Sequence, residues 1–256
     1  MSARPGHSQR DILYGRQAVR ESLRAGRRKP HKLMLAEGIR ETDFVGQIVY
    51  LARQAGADVV RTERRDLDHI GNPHQGVALE TGAYPYVALD DVLIAAQSRD
   101  ESPLLLLLDQ LQDPQNVGSL LRTAEAVGVH GVVIQRRRAV GVTPAVVHAS
   151  AGAAEHLMVA QVTNLANTVA TLKERGVWVA GLEAVPDAQQ YDQADLSGPL
   201  ALVVGSEGGG LRRLVRERCD FVLRLPMRGQ VASLNASVAG SVVLYEAFRQ
   251  RNADDE

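Results

Sequence analysis

From Pro103 onward, short uninterrupted apolar runs alternate with segments of helical period, and this alternation limits the fold more than any other feature. Strand candidates are 104–108, 131–134, 157–162, 178–182, 200–204 and 221–225; the first is five consecutive leucines. Helix candidates fall between them at 117–127, 144–151, 165–175 and 211–218, and a last helix runs from Ser233 to Arg251. A strand that is apolar at nearly every position must be covered on both faces. Helices between such strands supply the crossovers that parallel neighbours need. The expected fold class is therefore α/β, a parallel sheet covered by helices.

The first half reads as a smaller α/β unit. Residues 1–10 are expected to be a disordered arm. Residues 17–25 form a short helix carrying Val19 and Leu23, with Gly26 as its stop. Strands are expected at 32–36, 57–62 and 77–80. A helix at 42–54 carries Phe44, Ile48 and Leu51 on one face, and a helical turn covers 67–70. Periodicity breaks at 81–86, and 89–97 reads as a joining helix. This gives a first domain at 1–80, a linker at 81–102 and a second domain at 103–256.

Composition excludes several classes. With 256 residues, 45% hydrophobic and 23% charged, the chain can bury a real core as an ordinary globular protein. No apolar run approaches a membrane span, so no membrane partner is expected. The opening Met-Ser-Ala-Arg-Pro-Gly-His has no apolar core, so no secretory leader is expected, and the single cysteine, Cys219, leaves no internal disulfide. A cytoplasmic location follows as the expectation. Net charge is −1, yet residues 1–40 hold ten Lys/Arg against three acids. Such a face suits phosphate attraction, and equally suits a solvated helix surface.

Three polar clusters follow predicted strands. The first holds Asn116, Gly118 and Arg122, the second Gly205, Glu207 and Gly210, and the third Leu225, Met227, Ser233, Leu234 and Asn235. Singly, each has a plain reading: Asn116, Ser233 and Asn235 as helix caps, Glu207 as a capping carboxylate, Arg122 as a surface residue. The glycine run lacks the Lys-Ser/Thr ending of a Walker loop, and Arg213 stands where a dinucleotide fingerprint needs its third glycine. Independent capping does not explain five such residues at carboxyl ends of strands, the edge where open α/β sheets bind ligands. Cys219 has no nearby histidine and reads as buried. His130, His148 and His156 lack metal-ligand spacing, so no metal is expected.

In type, order and spacing the three clusters resemble the motifs of the SpoU-type RNA ribose 2′-O-methyltransferases, of the SPOUT class. The resemblance is close over roughly the last 150 residues and looser over the first 80, where Tyr14-Gly15 and His74 to Val77 resemble the family's substrate-recognition domain. It implies a C-terminal trefoil knot, an N-terminal domain of the L30e type, and a homodimer in which the last helix contributes. That would suit the apolar stripe Val238, Val242, Tyr245 and Phe248, which a core helix would also show. The implied cofactor is S-adenosylmethionine, with S-adenosylhomocysteine as product. The implied substrate is RNA, a guanosine of 23S ribosomal RNA, with transfer RNA as the alternative. Arg122 corresponds to the family's catalytic arginine. Asn116, Glu207, Ser233 and Asn235 would complete the catalytic set, and Gly205, Leu225, Leu234, Leu182 and Met227 would hold the cofactor. A non-catalytic ribosomal-RNA-binding factor is the alternative from a different class. A dehydrogenase is disfavoured by the missing fingerprint.

Overall fold

The computed structural model describes residues 10–231 and 233–252. The expected arm at 1–9, with Arg4, lies outside them. The chain forms two compact units, Met1–Pro85 with Val142–His156, and Tyr86–Gly141 with Leu157–Glu256.

The first unit is a four-stranded sheet in the order β1-β4-β2-β3, built from β1 (Arg10–Tyr14), β2 (Pro30–Ala36), β3 (Asp58–Thr62) and β4 (Val77–Gly82). Only β2 and β3 run parallel. Helices α1 (Arg16–Ala25), α2 (Asp43–Gln54) and α3 (Arg64–Asp68) belong to it. Two sequence expectations need correcting. Arg10 is not part of an arm: it opens β1, which pairs along its length with β4. Nor does a linker begin at Thr81. Thr81 is fully buried in β4, and its hydroxyl donates to the Lys29 carbonyl at 3.0 Å.

The larger surprise is Val142–His156, with α6 (Pro144–Ala149) and a following 3-10 turn. In sequence it lies between two strands of the second unit, yet it packs into the first. Val146, Val147 and Ala154 are fully buried there. The Glu155 carboxylate is also buried. It accepts from Arg28 at 2.8 and 3.0 Å and from the Ser22 hydroxyl at 2.9 Å, and Arg28 also pairs with Asp11 at 2.7 Å. The Tyr84 hydroxyl donates to the Ala154 carbonyl at 3.1 Å, and burial pushes its pKa up to about 12. Buried ions persist only when paired, so Arg28 and Glu155 tie this segment to α1 and β1.

These pairings also shrink the expected basic face. Arg10 faces Glu80, Arg20 and Arg24 face Glu21, and Arg28 faces Asp11 and Glu155.

The second unit holds a seven-stranded sheet. Its strands are β5 (Leu104–Asp109), β6 (Gly131–Gln135), β7 (Val159–Val162), β8 (Trp178–Leu182), β9 (Gln189–Gln190), β10 (Leu200–Gly205) and β11 (Phe221–Arg224). The order is β7-β6-β5-β10-β8-β11-β9, and every pairing is parallel. One face packs Leu105, Leu107, Val133, Val179, Ala201 and Val203 against α4 (Leu89–Ser98), α7 (Leu165–Glu174) and α8 (Arg213–Arg216). Alternate strand positions point the other way. There α5 (Pro114–Ala126) and α9 (Ala236–Arg251) pack together, and α9 also touches β10. A Cβ on Gly240 would meet Leu120 at 2.6 Å and Val204 at 3.1 Å, so glycine permits this close approach. The buried face of α9 is Ser237, Gly240, Val243, Leu244 and Ala247, whereas Val238, Val242, Tyr245 and Phe248 are exposed.

Candidate active site

Because β5, β8, β10 and β11 are parallel, their carboxyl ends share one edge. On that edge lies a cavity of about 540 Å³. Its apolar wall includes Leu182, Val204, Leu225, Met227 and Leu234, and its polar lining includes Glu183, Glu207, Ser233 and Asn235.

Loop geometry shapes the cavity. The carboxylate of Asp109, buried at the end of β5, accepts from the Arg212 backbone N–H at 2.9 Å and its Nε at 2.7 Å. This pins the far end of the glycine loop after β10. A Cβ on Gly205 would meet the Gly210 carbonyl at 2.3 Å, and Gly210 has a left-handed φ of 59°. Only glycine meets both demands.

Local capping settles the roles of the two asparagines. Asp113, not Asn116, caps α5: its carboxylate accepts from the Gln115 and Asn116 backbone N–H groups at 3.3 and 3.1 Å, with Pro114 beginning the helix. The Asn116 side chain is thereby released from capping. Asn235 does cap α9, its Oδ1 accepting from the Ser237 and Val238 N–H groups at 2.9 and 3.2 Å. That fixes the amide, so its Nδ2 donates to Asn116 Oδ1 at 2.8 Å and to Glu207. Glu207 therefore joins the asparagine pair, and caps no helix. One residue from each cluster meets in this chain of bonds.

Of the expected residues, Gly205, Leu182, Leu225, Met227, Leu234, Glu207, Ser233 and Asn235 line the cavity. Asn116 is joined through Asn235, while Arg122 is exposed on α5 and is not part of the lining. Two further residues were not singled out from sequence. Ser237 donates to Asn235 Oδ1 at 2.6 Å and reaches Asn116 Oδ1 at 3.4 Å. Glu183 lies in the cavity wall with Arg216 at 3.3 Å; its position directly after a strand was the available signal.

The other reactive side chains lie elsewhere. Burial pushes the Cys219 thiol up to about 12, the wrong direction for a nucleophile. His130 accepts from the Leu104 N–H at 3.0 Å and meets Glu101 at 2.9 Å, His148 stacks on Tyr14, and His156 meets Glu21. Among the described residues, no three His, Cys, Asp or Glu side chains cluster for a metal ion, and no helix is long and apolar enough to cross a membrane.

Residues 103–245 match the SpoU rRNA methylase family, and residues 12–87 match the RNA 2′-O ribose methyltransferase substrate-binding family. YacO of Bacillus subtilis, named as a member of the TrmH family of tRNA/rRNA methyltransferases, is 48% identical over 95% of this chain and 97% of its own length. The SpoU methyltransferase AviRb of Streptomyces viridochromogenes, solved with S-adenosylmethionine, shares the fold with a TM-score of 0.79. It is 23% identical over 94% of this chain and 89% of its own. A TrmH-family structure from Porphyromonas gingivalis gives a TM-score of 0.71 and 26% identity over 94% and 90% of the two chains. The chain belongs to the SpoU family of RNA methylases.

Proposed function

We propose that this protein methylates a ribose 2′-hydroxyl of RNA, and that its substrate is a guanosine of 23S ribosomal RNA. One observation carries the chemistry: the Glu207–Asn235–Asn116 chain of hydrogen bonds stands at an open-mouthed cavity on the strands' carboxyl edge. The cavity suits S-adenosylmethionine. Its volume lies within the range of ligand pockets, its wall is apolar enough for an adenine, and Glu207 suits a ligand that carries positive charge. Gly205, Leu225 and Leu234 would hold the cofactor through their backbone, with Leu182 and Met227 against it. The bound cofactor supplies an electrophilic methyl group.

The residues supply position and polarity. A neutral hydroxyl is a weak nucleophile, so the site must orient it and accept its proton. Arg122 carries a guanidinium, which has no lone pair to accept a proton and is a poor candidate for a base. Its forked guanidinium grips the neighbouring phosphate and polarises the hydroxyl. Asn116 and Glu207, fixed by Asn235, orient the ribose, with Ser233 beside them. The proton passes to Glu207 or to a phosphate oxygen.

The substrate-binding match at 12–87 supports an RNA target. Transfer RNA is the second reading, because the named relatives are tRNA/rRNA methyltransferases. The exposed stripe Val238, Val242, Tyr245 and Phe248 supports a homodimer through α9. A knotted cofactor site and a cytoplasmic location belong to the same reading. The test is incubation with labelled S-adenosylmethionine and unmodified ribosomal or transfer RNA, followed by mapping of 2′-O-methyl groups. Label at a ribosomal guanosine is expected. Label only in transfer RNA would change the substrate, and label in neither would overturn the activity.

A further inference from the structure

Arg136, Arg137 and Arg138 follow β6 as three consecutive exposed arginines, and none faces a carboxylate among the described residues. Five other arginines of the unit do face one. Arg175 faces Asp90, Arg212 faces Asp109, Arg213 faces Glu217, Arg216 faces Glu183 and Arg249 faces Glu246. Adjacent like charges repel, so such a triplet gains most when an anion lies against it.

Its backbone is fixed, while its side chains make no ion pair among the described residues. The Arg136 N–H donates to the Val162 carbonyl at 2.9 Å, extending the pairing of β6 with β7. Arg138 takes a left-handed φ of 61°, which turns the chain back. The Val140 N–H then donates to the Leu111 carbonyl at 3.0 Å, and Gln112 Nε2 reaches the Arg138 carbonyl at 3.4 Å. The loop is thus laid against residues 111–112, immediately before the helix that carries Asn116.

Register places it near the site. Gly205 pairs with Asp109, and Leu107 pairs with Val133. Two residues further along, Gln135, Asp109 and Gly205 fall in one row across three neighbouring strands. At about 4.8 Å per strand, Gln135 lies roughly 10 Å from the glycine loop of the cavity.

We propose that Arg136, Arg137 and Arg138 form a phosphate-binding loop that grips the RNA strand beside the ribose being methylated. The inference rests on the ribose-methylation reading. Guanidinium groups hold phosphate oxygens through two parallel hydrogen bonds. The loop gives the methyltransferase unit its own hold on the substrate backbone, independent of base identity.

The test compares wild type with R136Q/R137Q/R138N and R136K/R137K/R138K as full-length chains; Asn tolerates the left-handed position. Calorimetry with S-adenosylmethionine should give affinities within about twofold for all three. Binding of a labelled single-stranded RNA of mixed sequence is titrated across a salt series. The Gln/Asn variant should lower the slope of log affinity against log salt by about two, for three lost contacts at roughly 0.7 each. Its KM for RNA should rise at least about tenfold with kcat little changed. The Lys variant should recover the slope but not the KM, lacking the fork. An unchanged slope and KM in the Gln/Asn variant, or loss of cofactor affinity in step with RNA affinity, would overturn the proposal. A wild-type chain that methylates neither RNA would defeat the ribose-methylation reading while leaving the salt titration to decide the loop.

Discussion

Removing the charge of Arg28 should release Val142–His156 from the first unit. Its guanidinium is fully buried and carries two carboxylates, Glu155 with 1% of its side chain exposed and Asp11 with 19%. In Arg28→Met, Asp11 can turn toward water. Glu155 cannot, and among the described residues its carboxylate keeps only the Ser22 hydroxyl. Breaking one side of a buried pair typically costs 3–5 kcal/mol, against about 1 kcal/mol for a neutral hydrogen bond such as Tyr84 to Ala154. That cost falls on local opening of the segment, so amide exchange in peptides spanning 144–155 should accelerate between about a hundredfold and several thousandfold. Peptides from α7, in the other unit, serve as the control. The double variant Arg28→Met/Glu155→Leu removes both charges and should restore at least half of the lost protection, because an apolar pair of similar volume replaces an ion pair at little cost. Unchanged exchange in Arg28→Met would refute the reasoning and leave the attachment to the burial of Val146 and Val147 and to contacts such as Tyr84 with Ala154. A double variant worse than either single change would show that the pair acts through shape.

Three other outcomes are expected. Asn235→Asp keeps the oxygen that caps α9 but loses the amide donor to Asn116 and Glu207; methyl transfer should fall at least about tenfold with an unchanged melting temperature, whereas Asn235→Ala should also lose about 1 kcal/mol of stability. Arg122→Ala should abolish transfer in single-turnover assays and leave S-adenosylmethionine affinity by calorimetry intact, since Arg122 lines no part of the cavity; Arg122→Lys should rescue little. Burial holds the His130 pKa below its ordinary 6.5, which favours the neutral ring that accepts from Leu104. Its contribution is therefore present above that value and fades as pH falls through the depressed folded pKa. Melting curves from pH 7.5 to 5.5 should show this loss, and His130→Asn should flatten it.

The parallel sheet was legible because its strands carry the signal at every position: Leu104 to Leu108 are all buried, and no half-exposed strand reads that way. β1 was not. Of its five residues only Leu13 is buried, and what makes Arg10–Tyr14 a strand is its pairing with Val77–Gly82, some seventy residues away. Context decides such a strand. The allegiance of Val142–His156 was hidden for a related reason. Its helix has strands of the second unit on both sides, so local pattern assigns it there. The deciding contact joins Glu155 to Arg28, 127 residues earlier, and in sequence both read as ordinary surface charges.

The site divides along the same line. Residue types at strand ends could be read from sequence, because a parallel sheet gathers its carboxyl ends on one edge whatever the details of packing. Which partner each residue takes could not. Asn116 and Asp113 are both suitable caps for α5, and only one can serve. Here a local signal did exist: Pro114 favours the first helical position, and the residue before a proline avoids helical backbone, so Asp113 must be the cap. That step alone frees Asn116 for Asn235. The bond from Asn235 to Glu207 has no such local cue. It depends on α9 lying close against β10, which Gly240 permits, and on Asp109 drawing in the loop through Arg212. The three clusters are therefore one site only after two packing events that no cluster encodes by itself. Gly240→Val, with neither a cap nor a cavity residue changed, should separate Asn235 from Asn116 and lower methyl transfer as Asn235→Asp does.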